Sequence, residues 1–245
     1  IENCITEGTI KLTVSAKQDI RIGGSVGDGV GDIHNIENNA SITVNKAGNV
    51  NFSCGTIVGS MHGIETSLSD ITNNGKVIVT AEGKAYVGGI VGEYREGKKI
   101  YSALNYGEIS LSVSKLTDRA AVGGIAGNTA YIDIDRAVNN KKIYIEYKSK
   151  PGTDEIIAGG IVGESYNCKL INVGNEGRVE CKSGKVGTAA GIIGATSTKD
   201  MILNAYNSGA VYGYTDNKKN EVYTHGLIGG IAEVKNFYNS GKVTQ

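Results

Sequence analysis

A short glycine-rich apolar motif recurs along this chain and constrains its fold more than any other feature. Typical copies read Val-Gly-Gly-Ile-Val-Gly at 87–92 and Val-Gly-Gly-Ile-Ala-Gly at 122–127. Seven copies, some degenerate, lie at 22–27, 54–59, 87–92, 122–127, 158–163, 189–194 and 228–233. Repetition at a fixed spacing indicates a repeat architecture, in which no unit can bury its apolar face alone.

A second motif keeps the same period. It is Asn, any residue and Gly, as in Asn105-Tyr-Gly107, and its weaker copies start at Thr6, Asn38 and Asn139. Its anchor positions are 6, 38, 73, 105, 139, 175, 207 and 239, so successive units are 32 to 36 residues long. Two independent motifs with one period predict seven complete units and the first part of an eighth.

Each unit contains three segments that are typical of β-strands. A strand with alternating apolar residues follows each Asn-x-Gly, as in Ile109, Leu111 and Val113. A short apolar segment precedes each Asn, and the Gly-Gly motif supplies the third segment. With 36 Gly and one Pro, the composition is also that of strands and turns.

Stacked units predict a β-helix in which equivalent residues lie about 4.8 Å apart on successive turns. We expect each corner Asn to adopt the left-handed conformation and to hydrogen-bond its copies above and below. We expect the Gly two residues later to provide a positive φ. An interior ladder is predicted from one isoleucine per Gly-Gly motif: Ile90, Ile125, Ile161, Ile192 and Ile231.

A seven-bladed β-propeller is the alternative architecture. Its blades need about 40 residues or more, and its two ends should be complementary so that the ring closes. Here both ends of the chain match the same part of the unit. The sequence therefore predicts an all-β, single-chain β-solenoid of about seven repeats, expected to be right-handed, with three short strands per turn. It forms one continuous domain over 1–245, which we expect to be excised from a longer protein because it has no starting Met or signal peptide.

Two surfaces are candidate interaction sites. Both faces of the Gly-Gly strand are apolar, so either the chain's own loops cover it or its outer face, with Val91 and Val162, contacts a partner. Tyr144 and Tyr212 are predicted on the polar face of equivalent strands, where tyrosines can contact sugars or proteins or simply belong to an ordinary sheet surface.

No catalytic, cofactor-binding or metal-binding residue is predicted. His34, His62 and His225 are isolated, and none lies in a His-Glu-x-x-His motif. Asp133 and Asp135 would share one strand face and could act as paired carboxylates, but the neighbouring units supply no further acids there. The four cysteines have no metal-site spacing and are expected to be mostly free thiols.

The Gly-Gly-Ile-Val-Gly and Gly-Gly-Ile-Ala-Gly cores, each followed by an Asn-x-Gly strand, resemble the GLUG repeat of bacterial surface proteins. This repeat occurs in adhesin-like proteins and in non-catalytic regions of IgA-specific metallopeptidases. The resemblance spans nearly the whole chain. It implies a secreted or cell-surface location and transfers no catalytic residue.

The function expected from these observations is a non-catalytic surface module that acts as an adhesin arm, a spacer or a scaffold for proteins or glycans. The alternatives are a carbohydrate-active β-helix enzyme, either a polysaccharide lyase or a glycoside hydrolase, and an accessory domain of a surface protease. The expected partner is a host or cell-surface protein or glycan, with end-to-end self-association as a further possibility. Because the net charge is zero and no long apolar segment exists, neither nucleic acid nor membrane insertion is expected.

Overall fold

The computed structural model describes residues 1–148, 155–184, 186–215 and 221–245. Within these residues the chain forms 29 β-strands. In this described part, no helix is long and apolar enough to cross a membrane.

The strands follow one another in turns of four. The first three turns comprise β1 Glu2–Thr6, β2 Thr9–Ser15, β3 Ile20–Gly23, β4 Val26–Gly29, β5 Asp32–Asn38, β6 Ser41–Ala47, β7 Phe52–Gly55, β8 Val58–His62, β9 Ser67–Asn73, β10 Val77–Glu82, β11 Ala85–Gly88 and β12 Val91–Arg95. The next three comprise β13 Lys99–Asn105, β14 Ile109–Lys115, β15 Arg119–Gly123, β16 Ala126–Ala130, β17 Asp133–Asn139, β18 Ile143–Tyr147, β19 Glu155–Gly159, β20 Val162–Tyr166, β21 Lys169–Asn175, β22 Val179–Ser183, β23 Val186–Ala190 and β24 Ile193–Ala195. The remainder comprises β25 Met201–Asn207, β26 Val211–Tyr214, β27 Glu221–His225, β28 Glu233–Asn239 and β29 Val243–Thr244.

Equivalent strands of successive turns pair in parallel and build four sheets. The first sheet runs from β1 to β28 and the second from β2 to β29, with eight strands each. The third sheet, from β3 to β27, has seven strands, and the fourth, from β4 to β24, has six. The corner asparagines pair directly from turn to turn, as Asn73 with Asn105 and Asn105 with Asn139. The predicted β-solenoid of about seven turns is confirmed.

The Gly-Gly segment, expected as one strand, is two short strands joined at a bend. In the third turn, β11 ends at Gly88 and β12 begins at Val91. The three predicted segments of each unit therefore give four sheets. The bend also explains why this segment is apolar on both faces, because its two halves face different parts of the interior.

The interior is divided into two apolar clusters. One lies between the second and third sheets and includes Val79, Leu111 and Val87. The other lies between the first and fourth sheets and includes Ile100, Ile90 and Tyr94. Burying these side chains removes a continuous apolar surface from water along the whole stack, and this burial is the main stabilising contribution.

A ladder of asparagines, buried from Asn38 to Asn207, separates the two clusters. Each side-chain amide donates to the side-chain oxygen of the next asparagine at 2.7–2.8 Å, along Asn38, Asn73, Asn105, Asn139, Asn175, Asn207 and Asn239. Each asparagine packs against the second glycine of the Gly-Gly motif that precedes it in the chain. A Cβ on Gly89, for example, would be 2.8 Å from the Asn105 side chain. The predicted side-chain ladder is confirmed.

The left-handed backbone lies elsewhere than expected. The corner asparagines do not have a positive φ. In each of the eight strands of the first sheet, the residue three positions before the corner has the positive φ instead. These residues are Asn3, Asn35, Asp70, Ser102, Arg136, Asn172, Asn204 and Asn236. Among the Asn-x-Gly glycines of the described residues, a positive φ appears only in the first unit, at Gly8. The later glycines are needed for space, since a Cβ on Gly107 would lie 1.8 Å from the Gly75 carbonyl oxygen.

The last Gly-Gly motif is out of the predicted register. Leu227, and not Ile231, occupies the place of Ile192, because the amides of Ile192 and Ile193 both donate to the Leu227 carbonyl. Ile231 is 72% exposed, whereas Ile90, Ile125, Ile161 and Ile192 are fully buried as expected. The run Gly226-Leu-Ile-Gly229 matches Gly191-Ile-Ile-Gly194 and packs in its place, which shifts the unit by four residues.

Candidate binding groove

The outer faces of the third and fourth sheets face each other and form a groove along the solenoid. The third sheet contributes a row of outward residues that are directly paired from turn to turn: Arg21, Ser53, Tyr86, Ala121, Ile157, Thr188 and Tyr223. The fourth sheet contributes Asp28, Ser60, Glu93, Asn128, Glu164 and Ala195. Tyr86, Ala121, Ile157 and Ala195 pack together as an apolar floor.

The third glycine of each motif allows the two sheets to approach at the bottom of the groove. A Cβ on Gly127 would lie 2.5 Å from the backbone nitrogen of Val87 and 2.7 Å from the carbonyl oxygen of Gly92. Such distances are far below van der Waals contact, so only glycine fits without backbone movement. This position is glycine in all seven turns: Gly27, Gly59, Gly92, Gly127, Gly163, Gly194 and Gly229.

Glu164 is the centre of a hydrogen-bond cluster that spans the groove. It accepts hydrogen bonds from Arg119 at 2.7 Å, from the Tyr86 hydroxyl at 3.2 Å and from the Asn128 amide at 3.2 Å. Burial, followed by the negative charges of Glu164 and Glu93, raises the pKa of Tyr86 well above its usual range. Tyr86 therefore stays protonated and donates to Glu164, which ties the two walls together.

Glu93 is the second carboxylate of the groove, two turns before Glu164. It accepts hydrogen bonds from Arg95 Nε at 2.6 Å and from the Ser53 hydroxyl at 3.4 Å. Arg95 also donates to Asn128, at 3.4 Å, and so links the two clusters. Since the carboxylates are roughly 10 Å apart, at two strand spacings, they do not contact one reacting atom together.

Two tyrosines lie at the open side of the groove. The rings of Tyr131 and Tyr166 meet edge to face, with centroids 5.3 Å apart, and both side chains are nearly half exposed. Together with Arg95, Arg119 and the Glu164 cluster they line a depression of about 490 Å³. A second depression of about 290 Å³ shares Tyr86 and Arg95 with it and continues the groove toward the first turns.

The structure places the four sequence-predicted interaction residues outside this groove. Val91 and Val162 are fully buried in the cluster between the first and fourth sheets, so their side chains form core and not a surface. They are internal because the bend at the Gly-Gly pair turns them inward.

Tyr144 and Tyr212 do lie on the outer face of the second sheet, two turns apart, with Glu180 between them. A positively charged side chain already covers each ring. Lys142 Nζ lies 5.0 Å from the centroid of the Tyr144 ring, and Arg178 Cζ lies 4.2 Å from the centroid of the Tyr212 ring. Both cations also form ion pairs with Glu180. The charged groups of this cluster are therefore already paired with one another, and the rings of Tyr144 and Tyr212 are less exposed than those of Tyr131 and Tyr166.

His34 and His62 each lie beside a carboxylate, and Asp133 lies between two lysines of the neighbouring turns. His34 lies beside Glu2 at 3.2 Å and His62 beside Asp28 at 3.6 Å, both near the surface of the early turns. Asp133 is paired with Lys99 and Lys169, so acids do not stack at that position. In the described ranges, no three His, Cys, Asp or Glu side chains are grouped to hold a metal ion. All four cysteines are free thiols, and three of them are buried.

No family model, no curated protein and no solved structure matches the chain. The resemblance to GLUG repeats stays a prediction that rests on the motifs alone.

Sequence reasoning missed the groove because its residues are far apart along the chain. Tyr86 and Glu164, which share a hydrogen bond, are 78 residues apart. One local signal could have revealed the fourth-sheet wall. A polar residue directly follows the third glycine in five successive units: Asp28, Ser60, Glu93, Asn128 and Glu164.

Proposed function

We propose that this chain is a non-catalytic repeat module of a secreted or cell-surface protein, in which the solenoid serves as an arm and scaffold and the groove contacts a protein or glycan. The observation that supports this function best is the groove itself. It is an extended, polar and partly aromatic depression whose walls are fixed by the register of successive turns. The resemblance to GLUG repeats supports the surface location.

The state of the two groove carboxylates favours binding over catalysis. Glu164 accepts three hydrogen bonds and Glu93 accepts two, and each includes one from an arginine. A general acid must carry a proton and a general base must have a free lone pair directed at substrate. Carboxylates held by arginine in this way act as acceptors that shape the groove.

A carbohydrate-active enzyme is the second candidate, and the separation of Glu93 and Glu164 is the observation that favours it. Inverting glycoside hydrolases hold their two carboxyl groups about 6.5–9.5 Å apart, which is close to two strand spacings. The two candidates differ in whether a polysaccharide is shortened.

The experiment is to incubate the purified chain with a panel of neutral and acidic polysaccharides and to measure new reducing ends and unsaturated products. We expect no product above the level of a Glu93→Gln/Glu164→Gln double variant. Product formation by the wild type that the double variant abolishes would replace the binding module by an enzyme.

End-to-end self-association is a further proposal for partners. The first-sheet strands β1 and β28 each have a neighbour on one side only, and they expose Ile5 and Phe237. Unpaired strand edges with exposed apolar residues are sites for pairing with another chain. We expect concentration-dependent association in sedimentation experiments, and we expect Ile5→Lys to reduce it. A wild-type chain that stays monomeric at every concentration would refute this association.

A further inference from the structure

In the larger depression of the groove, the charged groups that are most exposed to solvent are positive. The side chains of Arg95 and Arg119 are 49% and 46% exposed, whereas those of Glu93 and Glu164 are 21% and 19% exposed. A ligand that enters the groove therefore meets the guanidinium groups first. The carboxylates lie behind them and hold them in place.

Each arginine keeps free hydrogen-bond donors. A guanidinium group has five N–H donors. Arg95 uses its Nε for Glu93 and one terminal nitrogen for Asn128, and Arg119 uses one terminal nitrogen for Glu164 and approaches Glu155 with its Nε at 3.8 Å. Within the described residues, one terminal nitrogen of each arginine has no partner. Planar donors of this kind suit carboxylate or sulfate groups on a ligand.

The aromatic side of the groove is held in place at an energetic cost. Tyr131 has a φ of 57°, in the left-handed region that bulky residues rarely adopt. The equivalent residues in the neighbouring turns, Glu96 and Asn167, share this backbone conformation. The turn geometry therefore directs the Tyr131 ring against Tyr166, where both rings stay half exposed. Exposed tyrosine rings with polar neighbours can pack on the apolar face of a sugar ring.

A ligand in the groove meets side chains and finds no unpaired backbone groups in the strands of the third, fourth and fifth turns. An extended peptide that binds by strand addition needs an open sheet edge with unpaired N–H and C=O groups. The walls of this groove are the interiors of two sheets, whose strands are already paired on both sides at the third, fourth and fifth turns. A sugar polymer, which is recognised through side-chain hydrogen bonds and ring stacking, fits these walls better than a peptide.

Resting on the proposed function, we propose that the groove binds an acidic polysaccharide. Arg95 and Arg119 contact its acid groups, and Tyr131 and Tyr166 pack on its rings. The lining of the larger depression comes from four successive turns, the third to the sixth, so that an oligosaccharide of several units is bound at once.

The test is isothermal titration calorimetry of the full chain with hexagalacturonic acid as the acidic probe, maltohexaose as the neutral probe and hexaglutamate as the acidic peptide probe. We expect the uronate to bind, with an affinity that falls as salt concentration rises. Binding at least tenfold weaker is expected for each of the other two probes. Absence of uronate binding, or equal binding of hexaglutamate, would overturn the proposal.

A matched pair of variants locates the site. Arg95→Gln removes a half-exposed arginine from the groove, and Arg178→Gln removes an equally exposed one from the Tyr212 surface of the second sheet. Uronate affinity should fall at least tenfold in Arg95→Gln and stay within twofold in Arg178→Gln. Tyr166→Ala, which removes an exposed ring, should also weaken binding at least threefold. The reverse result, a loss only in Arg178→Gln, would place the ligand on the second sheet and refute the groove.

Two controls separate failure of this inference from failure of the proposed function. Thermal unfolding followed by circular dichroism checks that each variant is folded. Chromatography of the uronate after titration shows whether it stays intact. Intact and unbound uronate overturns only the acidic-polysaccharide ligand, whereas bound and shortened uronate overturns the non-catalytic function.

Discussion

At the scale of single residues, the buried asparagine ladder is the most demanding feature of the molecule. The side-chain oxygen of Asn105 accepts hydrogen bonds from the Asn73 side chain and from the Gly107 backbone amide. Its side-chain amide donates hydrogen bonds to the Asn139 side chain and to the Gly107 carbonyl. It is fully buried between two apolar clusters, where an unsatisfied polar group costs about 1–3 kcal/mol. Each asparagine of the ladder therefore stabilises the chain most when it has a neighbouring asparagine on both sides.

Replacing a ladder residue should be costly. Asn105→Ala removes four hydrogen bonds, leaves the Gly107 amide without its acceptor and takes one of two donors from the Asn139 side-chain oxygen. We expect the free energy of unfolding, measured by urea denaturation, to fall by about 2–4 kcal/mol. Asn74→Ala, an exposed asparagine beside the ladder, should cost less than about 1 kcal/mol. Equal losses in both variants would contradict the ladder's role.

Extending the ladder should stabilise the chain. The side-chain oxygen of Asn38 is buried and has no hydrogen-bond partner among the described residues, because the preceding turn has Thr6 in the ladder position. Thr6→Asn places an amide where it can donate to Asn38. We expect an increase of about 1 kcal/mol in the free energy of unfolding, after loss of the Thr6–Ser25 hydroxyl contact.

Thr6→Val is the control for this extension, because it removes the hydroxyl without adding a donor. It should not stabilise the chain. If Thr6→Asn were no more stable than Thr6→Val in the same denaturation experiment, the unpaired oxygen of Asn38 would have no energetic consequence.

At the scale of strands, the bend in the Gly-Gly segment determines both the core and the groove. It directs Val87 into one apolar cluster and Ile90 into the other, and it turns the outer faces of β11 and β12 toward each other. The third glycine then packs against the backbone of the facing strand, which narrows the bottom of the groove.

Gly127→Ala tests this close approach. Its Cβ would lie within 2.8 Å of three backbone atoms, so β11 and β16 must separate. We expect a loss of about 2–4 kcal/mol in the free energy of unfolding, in the range of severe overpacking. Gly27→Ala changes the same motif position in the first turn, where the nearest atom is the Arg21 carbonyl oxygen at 3.2 Å. It should cost at most about 1 kcal/mol. A larger loss in Gly27→Ala than in Gly127→Ala would contradict the packing argument.

The strands that could be predicted from sequence are those with a strong local pattern. The alternating strand after each Asn-x-Gly, such as β14, is half buried and shows its period directly. The Gly-Gly bend could not be predicted, because a segment buried on both faces has no period. The motif of the last unit is predicted four residues too late in the chain, because Ile228-Gly-Gly-Ile231 matches the Gly-Gly motif better than Gly226-Leu-Ile-Gly229 does. Only the second of these runs has a glycine at the position of the motif's third glycine.

At the scale of the whole molecule, the same stacking that buries the core also assembles the groove. Residues such as Tyr86, Arg119 and Glu164 come from three successive turns and meet only because the turns are in register. The period in the sequence was sufficient to predict the solenoid. The groove depends on the angle between two sheets, which no local pattern encodes, and it therefore appears only in the folded chain.

In-register stacking of successive turns is the claim on which the core, the ladder and the groove all depend, and a disulfide tests it most directly. Thr43 and Ile78 are paired on neighbouring turns, and both face outward from the second sheet. Paired strands place such Cα atoms about 4.8 Å apart, within the range that a disulfide spans. Thr80 is displaced by two residues, which puts its Cα beyond about 7 Å from that of Thr43.

The measurement is the extent of disulfide formation under mild oxidation in a Cys4→Ser background, assayed by free-thiol titration. We predict nearly complete crosslinking in Thr43→Cys/Ile78→Cys and little in Thr43→Cys/Thr80→Cys. In a propeller, equivalent strands would lie in separate blades and the first pair would stay reduced. Equal crosslinking of the two pairs, or none in the first, would contradict the in-register solenoid.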